Sequence, residues 1–184
     1  MTFARYIHIA QASKGTNIPY LAHLLAVASI VLEMEGSEDE AIAALLHDAV
    51  EDGGGLAVEI AIREQFGEDV ARIVVACTDT EEKPKPPWRQ RKQDYLDSIA
   101  HKQPDELRVS LADKVHNSRR VLADFRTIGD EIWPRFKEGR EGQLWYYNAL
   151  VEAFEARRED LGKLAAPRLD ELTRTVAELT ASTS

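Results

Sequence analysis

Apolar residues recur at helical spacing along most of the chain. Over residues 20–35, one side of a helix would carry Leu21, Leu24, Leu25, Ala28, Val31 and Leu32. No segment alternates between polar and apolar residues as a half-buried strand does, and we find no internal repeat or low-complexity tract. The pattern therefore predicts an all-α protein, with helices over residues 3–13, 20–35, 56–66, 68–78, 88–102, 104–126, 143–158 and 167–180.

Turn and capping residues separate these helices. Ser37 and Glu40 have the spacing of a capping box, which predicts the start of a further helix. That helix should end at the glycines of residues 53–55, because consecutive glycines destabilise a helix. The remaining breaks are predicted as loops, linkers or fraying ends at residues 14–19, 79–87, 129–142 and 180–184.

Composition narrows the class of protein. The chain has 184 residues, of which 44% are hydrophobic and 30% charged, as expected for a single globular domain. No apolar run approaches the roughly 20 residues of a membrane span, and the first residues lack a signal-peptide core, so we expect no membrane association. Cys77 is the only cysteine, which excludes an internal disulfide and favours a cytoplasmic location.

Charge limits the expected partners. The formal net charge is −9 at pH 7, so the chain lacks a general basic field. We therefore do not expect long nucleic acid as a partner, whereas a small anionic nucleotide could bind through a metal and a local cluster of cations. An acidic, all-helical chain leaves a homo-oligomer open.

The main chemical signal lies in residues 43–52, where an apolar helical run is followed by His47, Asp48, Glu51 and Asp52. On a continuous helix, His47 and Glu51 would lie one turn apart on one face, as would Asp48 and Asp52. Such side chains could hold a metal and handle a proton. A single His-Asp pair is weak evidence for a metal site, so the prediction depends on further candidate ligands elsewhere in the chain.

Two further residues complete a candidate metal shell with His47 and Asp48. His23 borders the apolar stripe of its predicted helix, and Asp113 lies within an apolar stripe, where an unpaired acid is costly. Two nitrogens and two oxygens suit manganese, iron or zinc better than calcium, with cobalt and nickel also open. A metal of this kind lowers the pKa of water and so generates a hydroxide-like nucleophile.

A group of cations and one aromatic segment could contact a substrate. Arg89, Arg91 and Lys92 fall at the start of a predicted helix, where cations oppose the helix dipole. They are either an anion-binding cluster or a solvated charged face. Tyr146, within the aromatic residues 144–147, is either a nucleoside contact or part of a packing patch.

Five ordered segments resemble a known family. They are His8-Ile-Ala-Gln-Ala-Ser-Lys-Gly, Pro19-Tyr-Leu-Ala-His-Leu, Ala43-Ala-Leu-Leu-His-Asp-Ala-Val-Glu-Asp, Phe66-Gly-Glu-Asp-Val-Ala, and residues 109–119 containing Leu111-Ala-Asp-Lys-Val-His-Asn. They resemble motifs of the HD-domain phosphohydrolases, and within these the Rel/Spo-type alarmone hydrolases and their small stand-alone members of the metazoan SpoT homologue type. The resemblance covers about residues 3–126.

The resemblance implies a fold and an activity. It implies a single HD-type helical bundle over residues 1–184, with a core of about 3–126 and a helical extension of about 127–184. Enzymes of this type remove pyrophosphate from the 3′ position of (p)ppGpp, the alarmones of the stringent response, with manganese. By resemblance, His23, His47, Asp48 and Asp113 would bind the metal, and Glu51 and Asp52 would act as the acid/base and water-positioning pair. The expected substrate contacts are Lys14, Lys85, Arg89, Arg91, Lys92, Asn117 and Tyr146.

Two departures from the family pattern bear on the substrate. Ser13 stands where the family has an arginine that stacks on the base, and Leu24 stands where it has a proline. The first departure keeps an alternative open, an HD-type phosphatase acting on a nucleoside monophosphate or on the 2′-phosphate of NADPH. A catalytically silent nucleotide sensor is a third alternative, but the intact Glu51-Asp52 pair argues against it.

Overall fold

A computed structural model of the chain describes residues 1–80 and 84–181, so parts of the segments 79–87 and 180–184 lie outside the described residues. In the described part the protein contains helices and no strand, which confirms the all-α prediction. The helices are α1 (Thr2–Ile7), α2 (Leu21–Glu33), α3 (Glu38–Leu46), α4 (Ala49–Gly53), α5 (Leu56–Phe66), α6 (Glu68–Cys77), α7 (Trp88–Ile99), α8 (Pro104–Ile128), a 3₁₀ helix (Gly129–Arg135), α9 (Gly139–Glu155), α10 (Arg158–Leu161) and α11 (Ala166–Ala181).

The long helix α8 is the centre of the bundle. It packs against α2, α3 and α6, and also against α11 and the 3₁₀ helix. Its apolar stripe is fully buried, which places Asp113 at the edge of the core. Two paired Arg–Glu contacts, Arg119–Glu171 and Arg126–Glu178, join α8 to α11. Because these pairs are partly or largely exposed, apolar packing carries most of the stability.

The capping box at the start of α3 is confirmed. The Ser37 hydroxyl accepts from the Glu40 amide at 3.2 Å, and the Glu40 carboxylate accepts from the Ser37 amide at 2.9 Å. Glu40 is buried, and its other oxygen accepts from Arg108 Nε at 2.6 Å. The cap therefore also fixes α3 against α8, so that His47 at the end of α3 faces Asp113.

The prediction of a first helix over residues 3–13 was wrong at its C-terminal end. The helix ends at Ile7, and the chain then folds back on itself. The Ser13 amide donates to the Ile18 carbonyl at 2.8 Å, and the Tyr20 amide donates to the Gln11 carbonyl at 2.9 Å. These cross-loop bonds satisfy backbone groups that a continued helix would have used, and they bring Gln11 and Tyr20 to the site.

The prediction of one continuous helix through His47 and Asp48 was also wrong. Helix α3 ends at Leu46 and α4 begins at Ala49. His47 Nδ1 donates to the Ala44 carbonyl at 2.8 Å, the carbonyl that the Asp48 amide would bond in an α-helix. The His47 side chain thus takes the place of a backbone hydrogen bond of the helix. Because the helix is broken here, the prediction that Glu51 and Asp52 share helix faces with His47 and Asp48 does not apply.

The predicted linker over residues 129–142 is more regular than expected. Helix α8 continues to Ile128, the 3₁₀ helix follows, and α9 begins at Gly139. Ile132 and Trp133 are buried, which explains why this segment is ordered in spite of Pro134. Among the described residues, no helix is both long and apolar enough to cross a membrane.

Candidate metal centre and nucleotide cavity

The four candidate metal ligands converge from three parts of the chain. His23 comes from the first turn of α2, His47 and Asp48 from the break between α3 and α4, and Asp113 from α8. The Nε2 atoms of His23 and His47 are 3.1 Å apart. Asp113 Oδ1 lies 3.3 Å from His23 Nε2 and 3.6 Å from His47 Nε2. Asp48 Oδ2 lies 3.0 Å from His47 Nε2 and 3.7 Å from His23 Nε2.

These separations fit a divalent cation. Ligand atoms about 2.1 Å from one ion lie about 3.0–3.4 Å from each other at octahedral or tetrahedral angles. Single ligand atoms of His23, His47 and Asp113 all fall within 4.8 Å of one another. Two imidazole nitrogens with two carboxylate oxygens also form a donor set that borderline divalent metals accept. His23, His47 and Asp113 are thus placed so that they could share one divalent cation, with Asp48 next to them.

Hydrogen bonds outside the shell orient both imidazoles. The bond from His47 Nδ1 to the Ala44 carbonyl leaves the Nε2 lone pair directed at the site. His23 Nδ1 lies 2.7 Å from His116 Nδ1. Burial, then the nearby His23, lowers the pKa of His116 to about 4, so a neutral His116 can accept the His23 proton. His23 Nε2 is then available to a metal in the same way.

The two aspartates also have fixed partners. Asp113 Oδ2 accepts from Lys114 Nζ at 2.5 Å, and Asp113 Oδ1 accepts from Asn117 Nδ2 at 2.6 Å. Asp48 Oδ2 accepts from the Tyr20 hydroxyl. Burial and the negative charge of Asp48 raise the pKa of Tyr20, so this hydroxyl stays a donor.

The charges of the shell stabilise one another against burial. Burial alone would raise the pKa of Asp48 and Asp113, but His47 and Lys114 respectively hold those pKa values well below the usual range. Burial likewise opposes charge on the imidazoles, yet the aspartates raise the pKa of both His23 and His47. Without a metal, the site is thus a cluster of two carboxylates and two proton-holding imidazoles.

Glu51 and Asp52 lie on the short helix α4, directly after Asp48. Glu51 Oε1 accepts from Lys85 Nζ at 2.7 Å, in an ion pair that is partly exposed. Asp52 Oδ2 accepts from Gln11 Nε2 at 2.8 Å. Gln11 Oε1 in turn lies 2.5 Å from His8 Nδ1. Each of the two carboxylates therefore accepts a hydrogen bond from another segment of the chain.

A cavity of about 300 Å³ opens beside the metal ligands. His23 and Tyr20 lie at one part of its wall. Four of the expected substrate contacts also line it, namely Lys14, Lys92, Asn117 and Tyr146. Lys92 Nζ lies 5.1 Å from the centre of the buried Tyr146 ring, so the cation and the aromatic ring form one wall.

Three expected substrate contacts are not among the lining residues of this cavity. Lys85 pairs with Glu51, as described above. Arg89 stacks on Trp145, with its guanidinium carbon 3.1 Å from the ring centre. Arg91 pairs with Asp79 and donates to the Pro86 carbonyl at 3.1 Å.

The cavity also contains residues that the sequence interpretation did not assign. Lys114 and His116 lie within the motif that carries Asp113, so that motif was a signal for both. Arg120 is seven residues after Asp113 on α8, and helical spacing alone could have indicated it. Arg135 had no such signal, because it reaches the cavity from the segment predicted as a linker.

Comparisons with known proteins agree on the family. The model of a family described as HD domain matches residues 1–142. A guanosine-3′,5′-bis(diphosphate) 3′-pyrophosphohydrolase of Mus musculus, MESH1, is 36% identical over 120 residues, which is 64% of this chain and 64% of that protein. The Homo sapiens MESH1 is 36% identical over 134 residues, 71% of this chain and 70% of that protein. The chain thus spans 64–70% of the length of these relatives.

Solved structures extend the similarity to most of the fold. One, described as a metazoan ortholog of SpoT that hydrolyzes ppGpp, has a TM-score of 0.73 at 27% identity and covers 94% of this chain and 90% of that chain. Another, lmo0812 from Listeria monocytogenes, has a TM-score of 0.73 at 29% identity and covers 86% and 99%.

Proposed function

The chain belongs to the HD-domain family, and from this membership we propose that it is a metal-dependent hydrolase that removes the 3′-pyrophosphate of guanosine polyphosphates. The products would be GDP or GTP and pyrophosphate. The convergence of His23, His47, Asp48 and Asp113 beside a cation-lined cavity carries the proposal. The 3′-pyrophosphohydrolases among its relatives supply the substrate class.

The part of the candidate metal ligands in this reaction is to hold the cation in a fixed position. His23, His47, Asp48 and Asp113 would hold the cation, for which we propose manganese within the borderline divalent set. When bound, such a cation offers Lewis acidity toward phosphate oxygen and lowers the pKa of water. The partners Ala44, His116, Asn117 and Tyr20 keep the ligands oriented.

Four other residues would bind the substrate, position water and transfer protons. The oxygen of water bonds to the phosphorus attached to the 3′ oxygen and water gives up a proton, while the bond from phosphorus to the 3′ oxygen breaks and that oxygen takes up a proton. We assign the proton transfers to Glu51 and the positioning of water to Asp52. Lys92 and Lys114 lie in the cavity wall, where they would balance the charge of the diphosphate.

A substrate panel tests the proposal. The manganese-loaded protein is incubated with guanosine 3′,5′-bis(diphosphate), NADPH and nucleoside monophosphates, and pyrophosphate and orthophosphate are measured separately. We expect pyrophosphate and GDP from the first compound, and neither product from the Asp113→Ala variant. Orthophosphate from NADPH or a monophosphate, with no pyrophosphate, would replace the proposal with the phosphatase alternative. Tight binding without turnover would replace it with the sensor alternative.

A further inference from the structure

Helix α8 runs along one side of the cavity. Asn117, Arg120 and Asp124 all line the cavity and follow Asp113 at intervals of three or four residues, so they share one helix face. At 1.5 Å per residue, the eleven positions from Asp113 to Asp124 span about 16 Å. The Asp124 end is therefore remote from the metal ligands and would face a part of the substrate that does not react.

Arg135 occupies this remote end. Its Nη1 donates to Asp124 Oδ2 at 2.9 Å. Its stem crosses Gly15, where a Cβ would lie 2.8 Å from Arg135 Cδ and 2.9 Å from Nε. Gly15 also has φ +72°, a conformation that favours glycine. The loop around Gly15 and helix α8 thus hold the Arg135 side chain between them.

The 3₁₀ helix fixes the backbone of Arg135. Ile132 and Trp133, just before it, are buried in the core. The Trp133 indole donates to Asp130 at 2.9 Å, and its ring centre lies 5.7 Å from that of Phe125 on α8. Arg135 is accordingly presented from an anchored segment, with 26% of its side chain exposed.

This end of the cavity combines planar guanidinium groups with apolar side chains. Arg120 and Arg135 both lie next to the Asp124 carboxylate, at 3.7 and 2.9 Å, so that carboxylate offsets one of the two positive charges. Val121, Ile132 and Phe136 add apolar surface to the same part of the wall. A guanidinium plane beside apolar groups is a platform on which a nucleobase can stack.

We propose that Arg135, oriented by Asp124, is the residue that recognises the purine ring and so sets specificity for the nucleoside end of the substrate. The inference rests on the proposed function, because a nucleotide must lie in the cavity with its reacting phosphate at the metal. Ser13, which lines the cavity from the loop that Arg135 crosses, has no planar cation.

Calorimetric binding to the manganese-loaded protein, with all 184 residues present, tests this assignment. GDP has the purine ring, and ribose 5-phosphate has a sugar and a phosphate without it. The variants are Arg135→Ala, Arg135→Lys and Asp124→Asn, with Arg126→Ala as a matched control. Arg126 also pairs with a carboxylate, but it contacts Glu178 outside the cavity.

We expect Arg135→Ala to weaken GDP binding roughly 10-fold, the size of a lost base-stacking contact, and to leave ribose 5-phosphate unchanged. Arg135→Lys should bind GDP nearly as weakly as Arg135→Ala, because the lysine side chain has no planar group that can stack on a base. Asp124→Asn should lower the affinity for GDP to a smaller extent. The inference is overturned if Arg135→Ala binds GDP normally, if lysine restores binding, or if both ligands weaken equally. Because GDP binding needs no turnover, these outcomes are independent of whether the protein releases pyrophosphate.

Discussion

At the scale of single residues, each of the four candidate ligands faces the site and is also hydrogen-bonded to a neighbour that fixes its side chain. His47 uses its Nδ1 for the Ala44 carbonyl, and Asp113 uses both oxygens for Lys114 and Asn117 while Oδ1 also faces the imidazoles. Such outer partners set the tautomer and rotamer of a ligand before the metal arrives. The site is therefore preorganised by its neighbours.

Glu51 is the residue whose assigned role is easiest to isolate. In Glu51→Gln the side chain keeps its size, and Gln can no longer exchange a proton. We expect a loss in kcat of roughly 10²–10⁴, with metal content and thermal stability unchanged. Metal analysis and steady-state kinetics measure this, and Glu59→Gln on the neighbouring helix α5 is the control. Normal turnover in Glu51→Gln would contradict the role.

Metal binding should depend on pH in a defined direction. The raised pKa values of His23 and His47 mean that these imidazoles hold protons which a cation must displace. In the metal-free protein, their contribution to stability is complete below the ordinary pKa of about 6.5 and is lost as pH rises through the folded values. Metal affinity should change in the opposite sense and strengthen as pH rises.

Titration calorimetry in buffers of different ionisation enthalpy checks this prediction. We expect proton release on binding and an affinity that increases between about pH 6 and pH 8. A pH-independent affinity without proton release would contradict the protonated state of the metal-free shell.

At the scale of secondary-structure elements, irregular segments position the chemistry. The early end of α1 lets the chain fold back so that Gln11 reaches Asp52 on α4. The break between α3 and α4 separates His47 from the helix that carries Glu51. Neither break was predicted, because each depends on hydrogen bonds between segments, whereas periodicity reports only the apolar face of a helix.

The contact between the first loop and α4 gives a prediction of its own. In Gln11→Ala, Asp52 loses its amide donor, so we expect kcat to fall roughly 10-fold with little change in KM or metal content. The control is Gln93→Ala, which removes a similar surface bond from Gln93 to Asp97 at 2.8 Å. Equal kinetics in the two variants would mean that Gln11 does not position Asp52.

At the scale of the whole molecule, the sequence located the clustered polar residues better than the residues of the cavity. His23, His47, Asp48 and Asp113 could be found because each is a polar residue within or beside an apolar helical stripe, and because motifs surround them. Arg135 could not be found, because its position depends on how the 3₁₀ helix packs after α8. Arg89 and Arg91 carry the expected charge but contact Trp145 and Asp79.

The central claim is that three separate segments bring two imidazoles and two aspartates to one divalent cation. Anomalous diffraction from crystals of the manganese-loaded protein, recorded at the manganese absorption edge, tests it most directly. The account predicts one anomalous peak within coordination distance of His23, His47, Asp48 and Asp113. A peak elsewhere, or a fully loaded protein with no peak between these four side chains, would contradict it.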